Sequence, residues 1–306
     1  MRIRCGGRVQ LGFFPCVGGF VGLGVGLQAP ALSAAWTPEP SDREAQGLVE
    51  ALRAAGWRVE GGIRYEVRLK RHVGLGSGTV MALAGAEALC RANGLEPTVA
   101  ELHRIVRPRA RTAVGRTLYE HGGVVWSSPE SLERLNWPEQ WGLVIAGPRE
   151  VNEGTTVHGD REAEAIRRLE RTVSRALAEE WLAAWRAAWR RLQEGASLDQ
   201  FLRAFGDAQS VLSAHYATVP GMPPLHPTSR AVMAFWSAAG ACPAQSSWGP
   251  MVYAIGSARD LTALARATRE RFGTDVWVQE AQARNHGRVI EGDGGSLDGT
   301  TDGGGR

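Results

Sequence analysis

Lysine is almost absent from this sequence, and cysteine is scarce. Lys70 is the only lysine among 35 basic residues, so the other 34 are arginines. Any anion site must therefore use guanidinium groups, backbone amides or helix ends. The four cysteines form no C-x-x-C pair, which argues against a zinc site and a disulfide framework and favours a reducing cytoplasm.

The composition is that of a globular protein with about two domains. The chain has 306 residues, of which 43% are apolar and 22% are charged, and this excludes a disordered chain or a small disulfide scaffold. A net charge of +3 is too small to predict a nucleic-acid partner. Outside the amino-terminal region, no stretch reaches the ~18 apolar residues of a membrane span, so a membrane partner is not expected.

The amino-terminal region imitates a signal peptide, because Arg2, Arg4 and Arg8 precede an apolar stretch. Its many glycines and Pro15 would make a poor inserting helix. We therefore predict two strands around a glycine-rich turn, at residues 2–11 and 21–27.

Strands and helices alternate through the rest of the sequence, which predicts an α+β fold with a boundary near residue 150. We predict domains at residues 1–150 and 151–290 and a disordered tail at 291–306. The pattern predicts strands at 64–69, 124–126, 142–145, 251–255 and 275–280. It predicts helices at 79–92, 98–107, 160–194 (as one or two segments), 197–215, 228–239 and 258–272.

The sharpest local motif is the glycine-rich stretch from His72 to Thr79, which leads directly into an alanine-rich helix. Three glycines allow a tight turn whose amides point inward, and the helix adds its positive dipole end. Neither a P-loop nor a Rossmann fingerprint fits. The motif predicts a phosphate cradle, and the alternative is a turn that only starts a helix. The candidate anion-binding residues are Gly74, Gly76, Ser77, Gly78 and Thr79.

This loop resembles the phosphate-binding motif of the GHMP kinase superfamily. A second block, residues 111–123 (RTAVGRTLYEHGG), resembles that superfamily's next motif, which reads Ser-Gly-x-Asp in its small-molecule kinases. Counted back from the final glycine pair, the place of the aspartate falls on Gly115. That aspartate helps to activate the attacking hydroxyl in the kinases, which glycine cannot do, so the block argues against kinase activity.

A narrower resemblance is to the β-ribofuranosylaminobenzene 5'-phosphate synthases, a GHMP branch with glycine at this place. The third block, residues 245–250 (QSSWGP), closely resembles that branch, as do residues 8–12 and 158–162 in part. The resemblance runs from about residue 2 to residue 290. Five positions depart from the pattern: Gln10 replaces a histidine, Ala244 replaces a glycine, and Thr112, Ala113 and Arg116 differ within the second block.

The resemblance implies a GHMP-kinase-like two-domain fold, with a ribosomal-S5-domain-2-like amino-terminal domain and a ferredoxin-like carboxy-terminal domain. It also implies condensation of phosphoribosyl pyrophosphate with a 4-substituted benzoate, with loss of CO2 and pyrophosphate, in methanopterin biosynthesis. Mg2+ is the expected cofactor, and its ligands are left open. The partners are phosphoribosyl pyrophosphate and 4-aminobenzoate or 4-hydroxybenzoate. The candidate catalytic residues are Arg111, Glu120, Gln245, Ser246 and Trp248, and Gly115 joins the cradle.

Several alternatives stay open at this point. Trp248 can be a core residue, and Glu120 can be a buried hydrogen-bond acceptor. The stripe formed by Trp181, Trp185 and Trp189 is typical of a core or of a homodimer interface. In place of the synthase, the chain can be an ATP-dependent GHMP kinase or a binding protein of that fold without turnover.

Overall fold

The computed structural model describes residues 1–41, 43–151, 159–216 and 225–292. Most of the predicted tail, most of the proline-rich loop at 219–227, and His158 of the predicted 158–162 motif lie outside the described residues.

The described chain folds into helices and strands in the mixed order that the sequence predicts, so the α+β prediction is confirmed. The strands are β1 Arg2–Cys16, β2 Gly19–Thr37, β3 Gly62–Val67, β4 Val124–Ser127, β5 Leu132–Leu135, β6 Trp141–Pro148, β7 Pro243–Gln245, β8 Val252–Ser257, β9 Val276–Gln282 and β10 Val289–Glu291. The helices are α1 Arg43–Ala54, α2 Ser77–Ala92, α3 Val99–Val106, α4 Val114–His121, α5 Asp160–Thr172, α6 Arg175–Gln193, α7 Leu198–Tyr216, α8 Pro227–Ala238 and α9 Ala258–Phe272.

The strands form two antiparallel sheets. The first has the order β10-β1-β2-β4-β5, with β3 paired to β2, and the second has the order β7-β8-β6-β9. The chain thus enters the second sheet at β6 and comes back to the first sheet at β10. The division of the chain into domains at residue 150 stays a prediction.

The glycine-rich amino terminus is the long hairpin β1–β2, which confirms the strand prediction there. Its glycines allow helices to approach closely. A Cβ on Gly12 would lie 2.9 Å from the indole of Trp185, and a Cβ on Gly24 would lie 2.9 Å from Val114 Cγ1. Helices α6 and α4 therefore contact the hairpin where its strands carry no side chain. Within the described residues, no helix is both long and apolar enough to cross a membrane.

The tryptophan stripe of α6 belongs to the core of a single chain. Trp181, Trp185 and Trp189 are at most 1% exposed, and they pack against the hairpin and against Phe201 and Phe205 of α7. Of the two alternatives for this stripe, the structure shows the core, and the stripe needs no second copy of the chain to cover it.

Candidate active site

The glycine-rich loop forms an open cradle at the start of α2, which we define as residues 74–79. Gly74 and Gly76 have φ angles of +111° and +66°, values that favour glycine. Within the described part of the chain, the N–H groups of Gly74, Leu75 and Gly76 donate to no acceptor. The first amides of a helix have no partner inside the helix, so α2 adds further donors. The cradle thus presents the amides that an anion needs.

The third block packs directly on the cradle and holds its shape. Met251 donates its N–H to Val73 O at 2.8 Å, and a Cβ on Gly249 would lie only 2.3 Å from Gly74 N. The Ser246 hydroxyl is fully buried; it donates to Gly74 O at 2.7 Å and accepts from Gln10 N at 3.0 Å. One side chain therefore joins β1, the cradle and the third block.

The other predicted residues of the third block lie beside this junction. Gln245 donates its side-chain amide to Gly249 O at 3.0 Å, which closes the turn of the block. Trp248 is partly buried and packs on Tyr216, with ring centroids 5.9 Å apart. Their assignment as catalytic residues, like that of Ser246, stays a prediction, since the contacts seen here are structural.

Arg8 of β1 lies against the cradle, and the sequence motifs gave it no role. A Cβ on Gly76 would lie 2.6 Å from Arg8 Nε, so only glycine leaves room for this guanidinium. The Nε atom is buried without a hydrogen-bond partner, and Nη1 donates to Gln10 Oε1. Burial lowers the pKa of Arg8 to about 10; the charge of Glu162 opposes this and that of Arg107 adds to it. The fold thus holds a charged side chain beside the cradle, and the burial of this charge lowers the free energy of unfolding.

A second guanidinium covers the start of α2. A Cβ on Gly78 would lie 3.6 Å from Arg107 Nη1. The side chains of Arg107 and Arg116 form no hydrogen bond or ion pair with the described residues. The pKa of His103 falls to about 4. Burial has the largest effect, followed by the charges of Arg116 and Arg107. The positive potential around the cradle is therefore largely uncompensated.

The second block reaches the cradle through Gly115, in the first turn of α4. A Cβ on Gly115 would lie 2.9 Å from Thr79 Cγ2. An aspartate at this place, as in the kinases, would therefore be crowded against Thr79. Arg111, just before α4, is about half exposed; it pairs with Glu170 at 3.5 Å and lies over the ring of Phe20.

A cavity of about 360 Å³ opens at the start of α4, and we call it the arginine cavity. Its walls come from the tip of the β1–β2 hairpin, from α3, from the loop before α4 and from the segment after β4. The lining includes Phe20, His103, Arg111, Arg116, Ser127 and Ser128.

Glu120 lies away from both sites, in the last turn of α4. It is five residues beyond Gly115, or about 7 Å along a helix axis. Its carboxylate is 3.6 Å from His121 Nε2, and a Cβ on Gly287 would lie 1.8 Å from its carbonyl oxygen. The structure does not bring Glu120 to the cradle or to the lining of the arginine cavity, and its catalytic role stays a prediction.

A buried carboxylate fixes α2 relative to α4. Glu87 of α2 is 0% exposed; it accepts from the Tyr119 hydroxyl at 2.7 Å and from Arg288 at 2.8 and 2.9 Å, and it pairs with Arg91. Burial opposes its charge, but the hydrogen bonds from Arg288 and Tyr119 lower the pKa of Glu87 below its ordinary value. This network holds together the two helices whose amino-terminal ends form the site.

Comparison with known proteins identifies the fold. Residues 44–118 match the family described as GHMP kinases N terminal domain. The chain is 31% identical over 111 residues to β-ribofuranosylphenol 5'-phosphate synthase of Methanothermobacter thermautotrophicus. That match covers 30% of this chain and spans only 33% of the length of that protein. Both resemblances drawn from the motifs are thereby confirmed.

Solved structures agree over nearly the whole chain. Mevalonate diphosphate decarboxylase of Staphylococcus aureus has a TM-score of 0.63 at 13% identity, covering 95% of this chain and 97% of its own. The galactokinase of Lactococcus lactis, solved with galactose, has a TM-score of 0.65 at 13% identity and 94% coverage of both chains. The mevalonate kinase of Methanococcus jannaschii has a TM-score of 0.66 at 11% identity, covering 93% and 98%. The predicted GHMP-kinase-like fold is confirmed.

Proposed function

Because this chain has the fold of the GHMP kinases, and its cradle is cationic and lacks the kinase aspartate, we propose that it condenses phosphoribosyl pyrophosphate with 4-hydroxybenzoate or 4-aminobenzoate. The products would be CO2, pyrophosphate and a C-riboside 5'-phosphate for methanopterin biosynthesis. The motifs shared with the synthase branch support this proposal, as does the similarity to the synthase of Methanothermobacter thermautotrophicus. We also propose that the protein is cytoplasmic and forms a homodimer.

One observation carries the proposal: the cradle gathers more positive charge than the described residues neutralise, since Glu162 acts on Arg8 but Arg107 has no ion-pair partner among them. Free amides of residues 74–76, the buried guanidinium of Arg8 and the unpaired guanidinium of Arg107 converge on one place. Such a group of donors stabilises negative charge as it develops on a departing pyrophosphate. It would also allow a chain with a single lysine to bind phosphates.

The chemistry needs orientation more than a strong base. The bond between the ribose C1 and the pyrophosphate oxygen breaks, and its electron pair leaves with the pyrophosphate. The ring carbon that bears the carboxylate forms the new bond to C1. The bond to the carboxylate then breaks, CO2 departs, and its electron pair restores the aromatic ring. No step requires the kinase aspartate, which agrees with Gly115. The role of the protein is to hold the two reactants in line.

A magnesium ion fits the cradle if it is bound mainly through substrate phosphates. The described residues include no group of three or more carboxylate, histidine or cysteine side chains that could hold a metal alone. Mg2+ commonly takes only one or two carboxylates and completes its shell with phosphates and water. Glu162, whose charge acts on Arg8, would supply the carboxylate. When bound, the ion would neutralise charge on the leaving pyrophosphate.

The fold also supports a kinase as the second candidate, since mevalonate kinase and galactokinase are among the similar structures. Gly115 weighs against it, because no carboxylate stands at that place to activate a hydroxyl. A binding protein without turnover is the third candidate.

The test is to incubate the full chain with phosphoribosyl pyrophosphate, Mg2+ and each benzoate labelled at its carboxyl carbon. We expect labelled CO2, pyrophosphate and a C-riboside phosphate of the matching mass. Gly76→Ala should abolish all three, whereas Gly78→Ala, whose Cβ would make only an ordinary contact at 3.6 Å from Arg107 Nη1, should retain them. Formation of ADP from ATP and a hydroxyl acceptor would support the kinase instead. Binding without any product would support the third candidate.

A further inference from the structure

The arginine cavity is lined by none of the cradle residues, and so it forms a site of its own. It lies beside the cradle, because Gly115, which stands between the lining residues Ala113 and Arg116 in the chain, is so near Thr79 that a Cβ on it would lie 2.9 Å from Thr79 Cγ2. A substrate with two anionic ends can therefore reach both places.

The cavity is cationic, and its charge is poorly compensated. Arg116 forms no hydrogen bond or ion pair with the described residues. Arg111 has one carboxylate partner, Glu170 at 3.5 Å, in a pair that is about half exposed. Exposed pairs of this kind contribute little to stability and are readily exchanged for another anion.

Neutral donors complete the lining. The start of α4 has no side-chain cap, and Ala113 donates its N–H to Ser127 Oγ at 3.0 Å, which fixes the loop against β4. The neighbouring Ser128 contributes a hydroxyl. His103 stays neutral near pH 7, because burial and the charges of Arg116 and Arg107 lower its pKa to about 4. A neutral imidazole can donate or accept a hydrogen bond without adding charge.

We propose that the arginine cavity is a second oxyanion subsite that binds the end of a substrate remote from the pyrophosphate. This inference rests on the proposed function. The oxyanion is either the 5'-phosphate of phosphoribosyl pyrophosphate or the carboxylate of the benzoate. Guanidinium forks on Arg111 and Arg116 can hold two oxygens of either group.

The test uses ribose 5-phosphate and 4-hydroxybenzoate as separate probes of the cavity, and inorganic pyrophosphate as the probe of the cradle. We expect Arg116→Gln to weaken at least one of the two cavity probes about tenfold to hundredfold in calorimetry. Its affinity for pyrophosphate should fall far less, by at most about threefold, because Arg116 acts on the cradle only through its charge; retained binding also shows that the variant folds. Arg109→Gln is the matched control, since Arg109 is exposed on the loop before α4 but does not line the cavity.

A second readout is the titration of His103 by NMR, assigned with His103→Gln. The charges that act on this ring come from Arg107 at the end of α3 and Arg116 on α4, while the lining serines carry none. A bound oxyanion should therefore raise the pKa of His103 by about one pH unit or more. The probe that raises it identifies the phosphate or the carboxylate as the occupant.

Two results would overturn the subsite. In one, neither probe binds the wild-type chain or moves His103; in the other, Arg109→Gln weakens binding as much as Arg116→Gln. Product formation with unchanged KM values in Arg116→Gln would also overturn it, while leaving the proposed function intact. Conversely, binding of a probe in the cavity without any product would refute the proposed function and leave the subsite standing.

Discussion

Replacing Arg8 with methionine should stabilise the unliganded protein and weaken its binding of pyrophosphate. The depression of the Arg8 pKa to about 10 corresponds to about 3 kcal/mol that folding loses by keeping the guanidinium charged in a buried place. Methionine fills similar space without charge. It loses the hydrogen bond to Gln10, worth about 1 kcal/mol. The net gain in free energy of unfolding should therefore be about 1–2 kcal/mol.

The same change removes a charge-assisted donor from the cradle. Such a bond contributes roughly 1.5–3 kcal/mol, so the Kd for pyrophosphate should rise about tenfold to hundredfold. Urea denaturation measures the first effect and calorimetry the second. A base with a depressed pKa is penalised fully below its folded pKa, and the penalty fades only as the pH rises above about 10. The gain in stability should therefore be equal at pH 6 and pH 8.

Arg4→Met is the matched control for this prediction. Arg4 lies on the same strand and is exposed, and its one ion pair within the described part of the chain is with Glu291 at 3.3 Å. Its replacement should change stability by no more than about 0.5 kcal/mol and leave pyrophosphate binding unchanged. If Arg8→Met lost more than about 1 kcal/mol of stability while binding pyrophosphate normally, Arg8 would be a structural residue and the account of the cradle would be wrong.

Four further changes test other parts of the site. Gly76→Ala should weaken pyrophosphate binding in calorimetry at least about tenfold, because its φ is +66° and its Cβ would meet Arg8, whereas Gly78→Ala should not. Gly115→Asp should form no ADP from ATP and should slow CO2 release, because it adds a carboxylate near the phosphates. Arg111→Ala should lower kcat/KM for phosphoribosyl pyrophosphate about tenfold to hundredfold, with partial rescue by lysine; an unchanged value would make Arg111 a surface ion-pair residue. Glu87→Gln should lower the free energy of unfolding by about 3–5 kcal/mol in urea denaturation, since it leaves the guanidinium of Arg288 without its carboxylate partner. A loss below about 1 kcal/mol would refute this.

The sequence predicts best those elements whose signals are local. Thr98 and Glu101 form the capping box that the sequence indicates, and α3 begins at the next residue, Val99. Helix α9 spans residues 258–272 as predicted, with Ser257 as its cap. Each of these boundaries is set by a side chain within one turn of the helix end, and the sequence shows such a residue directly.

Elements without local signals were not predicted. Helix α4 begins after Ala113, which caps nothing with its side chain, and it was seen only as a motif. Strands β5, β7 and β10 have three or four residues, and they exist because a partner strand pairs with them. Strand β2 continues to Thr37 for the same reason, since β1 and β3 pair with its second half.

The residues of the site divide in the same way, into those that a local motif indicates and those that only the fold brings close. The cradle was predicted because its glycines are adjacent in the sequence. The charges beside it were not assigned: Arg8 arrives on β1, and Arg107 follows α3. Only the fold brings these arginines to the start of α2, and no periodicity or spacing encodes that contact. The second block supplies part of the lining of the arginine cavity, but nothing in its sequence indicates a cavity separate from the cradle.

Three of the departures from the synthase pattern, at Gln10, Ala113 and Ala244, act mainly through the backbone, which accounts for their tolerance by the fold. Gln10 donates its N–H to Ser246 Oγ, and any residue at this place can do so. Ala113 likewise uses its N–H, toward Ser127. Ala244 pairs with Tyr253 in the second sheet and buries only a methyl group.

Of these three, Gln10 is the one whose side chain has a chemical consequence at the site. Its Nε2 donates to Gly12 O and Leu23 O, which directs its Oε1 toward Arg8. A neutral amide oxygen accepts a hydrogen bond but cannot balance a charge, nor can it take a proton near pH 7. Near neutral pH, Gln10 therefore leaves Arg8 with the charge of Glu162 as its compensation. If the cradle binds an anion, as proposed, the same binding would offset part of the folding penalty of Arg8.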